Sequence, residues 1–223
     1  MSKTLNNIAL ALRKQGLKAD RLTQSDLIVQ LPIQAGNTSY QFAVLQSVPP
    51  VLPDEIRLAL QDLFFVNAMG IFLSATATVG GVAQRFYISA PPLTLGAAAA
   101  PLFSLYRGNL NVSINNVTYI QNWSVQRHFA NEETQFTPFS AGVAATLPKL
   151  LGNQTAFARV NPNFVFNGNS KIDVVLNLAD NTFAPVAGLQ FTDAAGVNVP
   201  IAVDRVGIIF RGILGQNSSN INK

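Results

Sequence analysis

After Asp26, apolar and polar positions alternate with a period of two, interrupted at fairly even intervals by glycine, proline and asparagine. That period puts successive side chains on opposite faces of a pleated strand, so it predicts half-buried antiparallel sheet. DLIVQLPI and TSYQFAVLQSV read as strands on either side of the turn Ala35-Gly36-Asn37. GIFLSATATV and AQRFYISA read as a hairpin around Gly80-Gly81. Between these pairs, DEIRLALQDLFFV follows Pro49, Pro50 and Pro53. It fits a short helix capped by Asp54, with Ile56, Leu60 and Leu63 on one face. It also fits a strand in which Ile56, Leu58 and Leu60 alternate, and the surrounding sheet pattern favours strand. PPLTLGAAAAPLF, broken by Pro91, Pro92 and Pro101, reads as a loop or crossover.

The strongest local signal is central. NLNVSI puts Leu110, Val112 and Ile114 on one face and Asn109, Asn111 and Ser113 on the other. Asn115-Asn116 then supplies residues that tolerate the positive φ of a tight hairpin turn. On the return strand, Val117, Tyr119, Trp123, Val125 and Phe129 are expected on one face. Thr118, Asn122, Ser124, Gln126 and His128 are expected on the other. FARVNPNFVF, KIDVVLNL and VDRVGIIFRGIL continue the theme, with NGNS, ADNT and DAAG as turns. Roughly ten short strands joined in this way indicate an all-β, antiparallel β-sandwich or jelly roll. The one convincing helical pattern outside this body is SKTLNNIALALRKQGLKADR, where Leu5, Ile8, Ala9 and Leu12 share a face and Gly16 is a stop.

Charge divides the chain at the same place. Lys3, Arg13, Lys14, Lys18 and Arg21 oppose only Asp20, so the net charge of +4 belongs entirely to residues 1–21. The remainder carries ten basic and ten acidic residues and is neutral. Residues 1–21 therefore read as a basic amphipathic arm, and residues 22–223 as the sandwich, with a compact double jelly roll as the other division. Such an arm is expected either to touch a lipid surface, nucleic acid or a neighbouring subunit, or to dock on its own domain with a solvated basic side. Only 12% of residues are charged, and asparagine alone occurs 21 times. A neutral, amide-rich exterior repels its copies weakly and suits self-association.

Leu63–Gln84 is free of charge for long enough to span a bilayer, but its polar and β-branched residues and its glycine pair favour two strands around a turn. Absence of cysteine excludes disulfides and thiolate metal sites. No signal-peptide pattern opens the sequence.

Catalytic chemistry finds little footing. His128 is the only histidine, which rules out paired-histidine metal sites within one chain, and there is no GxSxG, Walker A or GxGxxG. On its strand-to-loop junction, His128 is expected to bond locally and not to ligate a metal with Glu132 and Glu133. Phe164 and Phe166 are expected in the core. The chain is accordingly expected to be neither an enzyme nor the holder of a metal or cofactor.

NLNVSINNVTYIQNWSVQRHFANEETQ, NPNFVFNGNSKIDVVLNL and the terminal VGIIFRGIL together resemble jelly-roll capsid proteins of icosahedral, often membrane-containing, bacteriophages. The likeness covers about residues 105–215 and rests on strand pattern and turn style. At 223 residues the chain is short for the double jelly roll common in such phages. The resemblance implies a virion location and a self-assembling shell of trimers or larger capsomers, in contact with other capsid proteins. It also implies an arm turned toward genome or internal membrane, through Lys3, Arg13, Lys14, Lys18 and Arg21. Loop residues Pro91, Pro92, Pro101, Phe136 and Phe139 are the candidates for subunit contacts. The competing expectation is a carbohydrate-binding or adhesive sandwich of the fibre or lectin kind, presenting Asn122, Ser124, Gln126 and His128.

Overall fold

The computed structural model describes residues 10, 17–49, 51–79, 82–88, 99–129, 156–192, 198–217 and 219–220. Its strands are β1 (Leu17–Lys18), β2 (Arg21–Pro32), β3 (Ser39–Phe42), β4 (Leu63–Val79), β5 (Val82–Ile88), β6 (Asn109–Ile114) and β7 (Val117–Ser124). There follow β8 (Ala158–Asn167), β9 (Ile172–Asn177), β10 (Val186–Thr192), β11 (Asn198–Gln216) and β12 (Ser219–Asn220). All pairings between these strands are antiparallel.

Two long strands, β4 and β11, lie side by side at the centre of the larger sheet, and each has two shorter strands along its outer edge. β11 carries β10 beside residues 198–203 and β2 beside residues 205–216. β4 carries β8 beside residues 63–69 and β5 beside residues 73–79. The sheet is thus β2-β11-β4-β8 at one end and β10-β11-β4-β5 at the other. The smaller sheet runs β3-β9-β6-β7. The chain passes from one sheet to the other at nearly every connection that is not a hairpin. The result is an all-β antiparallel sandwich, as the alternation predicts.

The inward positions show why. Leu27 and Val29 of β2, Met69, Ile71 and Leu73 of β4, and Val206, Ile208 and Phe210 of β11 meet Leu110 and Val112 of β6 and Val174 and Leu176 of β9 in one core. Burying each such side chain is worth about 1.5–3 kcal/mol. The apolar run in β4 has a second cause, since parts of its other face are covered too, Leu63 packing with Ile213 and Phe72 with Tyr87. A strand buried on both faces loses its alternation, which is why this stretch resembles a membrane span in sequence. The expected hairpin is present, with Val79 opposite Val82, and no helix among the described residues is long and apolar enough to cross a membrane. Close approach of the two central strands depends on glycine at one point. A Cβ on Gly212 would lie 1.9 Å from the Phe65 carbonyl oxygen, inside any allowed contact.

The turn at Gly36, with φ of +82°, carries the chain from β2 in one sheet to β3 in the other. Several expectations need correction. Residues 54–62 form no strand or helix, only single bridges from Ile56 to Ile28 and from Leu58 to Leu45. Ile56 and Leu60 are exposed while Leu58 is buried, so the three do not share a face. The strand expected to begin at Gly70 begins at Leu63, because the partners β8 and β11 extend that far. Pro101 opens a short helix, Ala100–Phe103, instead of a loop. In β7 the expected alternation fails, because the pairing with β6 shifts register on both sides of Val112. Val117 and Tyr119 are exposed and Ile120 is buried instead. Val125–His128 is a 3-10 turn, which rotates His128 off the polar face and into the interior.

Candidate functional site

The described candidates from the sequence do not converge. Lys18 lies in β1 opposite Ser219, and Arg21 opens β2 opposite Gln216, exposed. Pro101 is half-buried in the first turn of its helix. Lys3, Arg13, Lys14, Pro91, Pro92, Phe136 and Phe139 lie outside the described residues.

Part of the expected polar face of the central hairpin borders a cleft. Ser124 and Gln126 line an open depression of about 450 Å³ together with Phe103, Tyr106, Arg107 and Phe129. The Tyr106 and Phe129 rings meet edge to face with centroids 4.8 Å apart. Arg107 is held by Asp180. Burial pushes the Tyr106 hydroxyl well above the usual tyrosine range. Asn122 lies apart from these residues, with φ of +52°, and its backbone N–H donates to Asn111 Oδ1 at 2.8 Å.

His128 sits behind this face, fully buried. Trp123 Nε1 donates to His128 Nε2 at 2.9 Å, which leaves the proton on Nδ1 to be donated to the Ala156 carbonyl at 3.1 Å. The ring is therefore neutral. Its pKa is lowered from 6.5 to about 4, chiefly by burial, while the bond to Ala156 opposes that shift and the Arg127 charge adds to it. Arg127 itself lies 4.7 Å from the centre of the Trp123 ring. The bond to Trp123, five residues away, is of the local kind expected of this histidine, whereas Ala156 is 28 residues away.

A third feature had no legible signal. The segment 45–62 stitches the sandwich along one side. Ile56 exchanges backbone bonds with Ile28 at the outer edge of β2, and Leu58 donates to the Val44 carbonyl beyond β3. Two of its charged side chains, Glu55 and Arg57, turn inward. Glu55 accepts from the backbone N–H groups of Gln30 and Leu52, both at 2.8 Å, and pairs with Arg57 at 2.8 Å. Arg57 also donates to the Val48 carbonyl. Asp54 accepts from Gln30 Nε2 at 2.9 Å and lies 3.4 Å from Arg85. Tyr87 reaches across the sheet to the same Gln30, and burial, then the Asp54 charge, raises its hydroxyl pKa. In sequence, Asp54 reads as a possible helix cap after Pro49, Pro50 and Pro53, and nothing in the spacing of Glu55 and Arg57 shows the buried pair. Among the described residues, no group of three or more histidine, cysteine or acidic side chains is arranged to hold a metal ion.

No family model matches the chain, and neither does any curated protein or solved structure.

Proposed function

We propose that this chain is a structural coat subunit, a sandwich of jelly-roll type that self-assembles into a closed icosahedral shell in a phage virion. Residues 1–21 then face the genome or an internal membrane. The observation that carries this reading is the strand order. With β5 and β10 set aside as flanking strands, β2-β11-β4-β8 faces β3-β9-β6-β7, four strands against four. That order supports a jelly roll of two Greek keys, an architecture used by viral coats and by lectins. Architecture alone does not assign a role. The neutral body and the confinement of net positive charge to residues 1–21 supply the rest, since a shell needs copies that repel weakly and an inner surface that meets an anion.

Light scattering on the full chain at low and high salt tests the proposal. Trimers or larger particles are expected at micromolar concentration. Removing residues 1–16, which spares β1, is expected to leave assembly intact and abolish salt-sensitive binding to DNA or to anionic vesicles. A monomer of 23.9 kDa under every condition overturns it.

A second reading, glycan binding, is favoured by one observation. Ser124 and Gln126 share their cleft with three aromatic rings and Arg107, the mixture of apolar faces and planar hydrogen-bonding groups that holds a sugar. Saturable shifts in Trp123 fluorescence on glycan titration are its expected sign; a flat response across a broad glycan panel removes it.

A further inference from the structure

The outer face of the smaller sheet presents hydrogen-bonding side chains in register. Ser39 of β3 lies opposite Asn177 of β9, Asn177 opposite Asn109 of β6, and Asn109 opposite Ser124 of β7. The four form one row across all four strands, at steps of about 5 Å and over roughly 14 Å in total. Their neighbours along the strands, Tyr40, Leu176 and Leu110, point the other way into the core. Ser39, Asn109 and Asn177 are exposed and Ser124 is half-buried. Ser39 Oγ donates to Asn177 Oδ1 at 3.1 Å, which orients that amide within the face.

The row is uncharged, and so is the one beside it, Gln41–Val175–Asn111. Charges stand at the borders. Asp173, one row further on, is met by Lys171 and by Gln41 Nε2, each at 3.2 Å. Arg107 is paired with Asp180, and Arg127 lies over the Trp123 ring. Ser124, where the row ends, also lines the cleft that holds the Phe103, Tyr106 and Phe129 rings. A straight row of donors and acceptors therefore leads into an aromatic-walled depression.

We propose that the row and the cleft form one binding site for an extended, uncharged polysaccharide. The end of the sugar chain lies in the cleft, and the rest crosses the sheet over Ser124, Asn109, Asn177 and Ser39. This rests on the glycan reading of the cleft and names its ligand class. An amide side chain both donates and accepts, as each sugar hydroxyl does, so the two surfaces match group for group. Aromatic rings in the cleft take the C–H face of a sugar. An uncharged chain brings no ion to be desolvated against a row that has no counter-charge to offer. The step between strands is close to the length of one sugar in a flat, β-1,4-linked ribbon, so successive sugars meet successive strands. A coiled, α-linked chain curves away from a row of this length. A protein partner fits the face poorly, because protein interfaces are enriched in aromatic, Met and Arg side chains and depleted in serine.

Calorimetric titration of the full chain tests the assignment. The probes are the disaccharides and hexasaccharides of β-1,4-linked glucose and mannose, with maltohexaose and hexagalacturonate for comparison. A β-linked hexasaccharide is expected to bind about tenfold more tightly than its own disaccharide, because it adds hydrogen bonds along the row. Its affinity is expected to be the same at low and high salt, with maltohexaose and hexagalacturonate weaker. Asn109→Ala with Asn177→Ala is expected to lower the hexasaccharide affinity about tenfold. The length dependence is read on the parent chain, so it does not depend on how that variant folds. Equal affinity for disaccharide and hexasaccharide overturns the row and leaves glycan binding in the cleft. A preference for hexagalacturonate that fades with salt overturns the uncharged ligand. Silence from all of these probes overturns the site as assigned, and a flat response across the broad glycan panel removes the cleft reading with it.

Discussion

Protonating His128 would set two donors against each other, since Trp123 Nε1 already donates to its Nε2. The ring is fully buried, and Arg127 is the charged neighbour that adds to the lowering of its pKa. A pKa of 6.5 lowered to about 4 on folding means that the unfolded chain binds more protons between those values. The contribution of His128 is therefore fully present above pH 6.5 and is lost as pH falls toward 4. The whole effect is about 3 kcal/mol. Urea melts from pH 7 to pH 4 are expected to show it, and His128→Gln, which keeps a donor and an acceptor without titrating, is expected to flatten that slope. An unchanged slope in the variant would assign it to carboxylates instead. The bond to Trp123 matches the local bonding expected from the place of His128 at a strand-to-loop junction. The burial of this histidine was not legible, because strict alternation put it on the solvent face.

The β6–β7 hairpin shows what an element takes from its own sequence and what it takes from its neighbours. Asn115 and Asn116 adopt φ of +50° and +65°, the conformation that a two-residue turn with matching twist requires. Asn115 also reaches out of the hairpin, accepting from the Lys171 backbone N–H at 3.0 Å and donating to Ser170 Oγ at 3.2 Å. Asn116→Val forces a β-branched residue into the left-handed region and is expected to cost roughly 1–2 kcal/mol. Asn116→Gly is expected to be neutral or mildly stabilising, and chemical denaturation of the pair checks both signs. The turn and β6 follow from sequence, because short-range sterics and one-sided burial decide them. β7 does not, because its register shifts where it meets β6 and its end winds into a 3-10 turn. Bulges of that kind are set by the surfaces on either side of a strand and leave no mark in its pattern.

For the whole molecule, the stitch along β2 and β3 depends on a buried pair whose members are only two residues apart. Arg57→Met leaves the Glu55 carboxylate without its counter-ion and is expected to destabilise by about 3–5 kcal/mol. Glu55→Gln in that background removes the stranded charge while keeping an acceptor for the Gln30 and Leu52 N–H groups. It should recover part of the loss, and a double-mutant cycle by thermal melting measures the coupling. If Arg57→Met alone melts like the parent, the pair is not holding the segment. What the sequence by itself determined is the strand content, the two-residue turn, the inward faces of β6 and β9, and the confinement of the net positive charge to residues 1–21. Each of these depends on neighbours a few residues apart or on simple sums of charge. Only the tertiary structure decided that β2 and β3 lie in different sheets, that β4 and β11 each carry two further partners, and that Glu55 and Arg57 are buried while Val48, Val51 and Ile56 are exposed. Those outcomes depend on which distant surfaces meet, and residues far apart in the chain compete for the same buried positions without any local period to record the result.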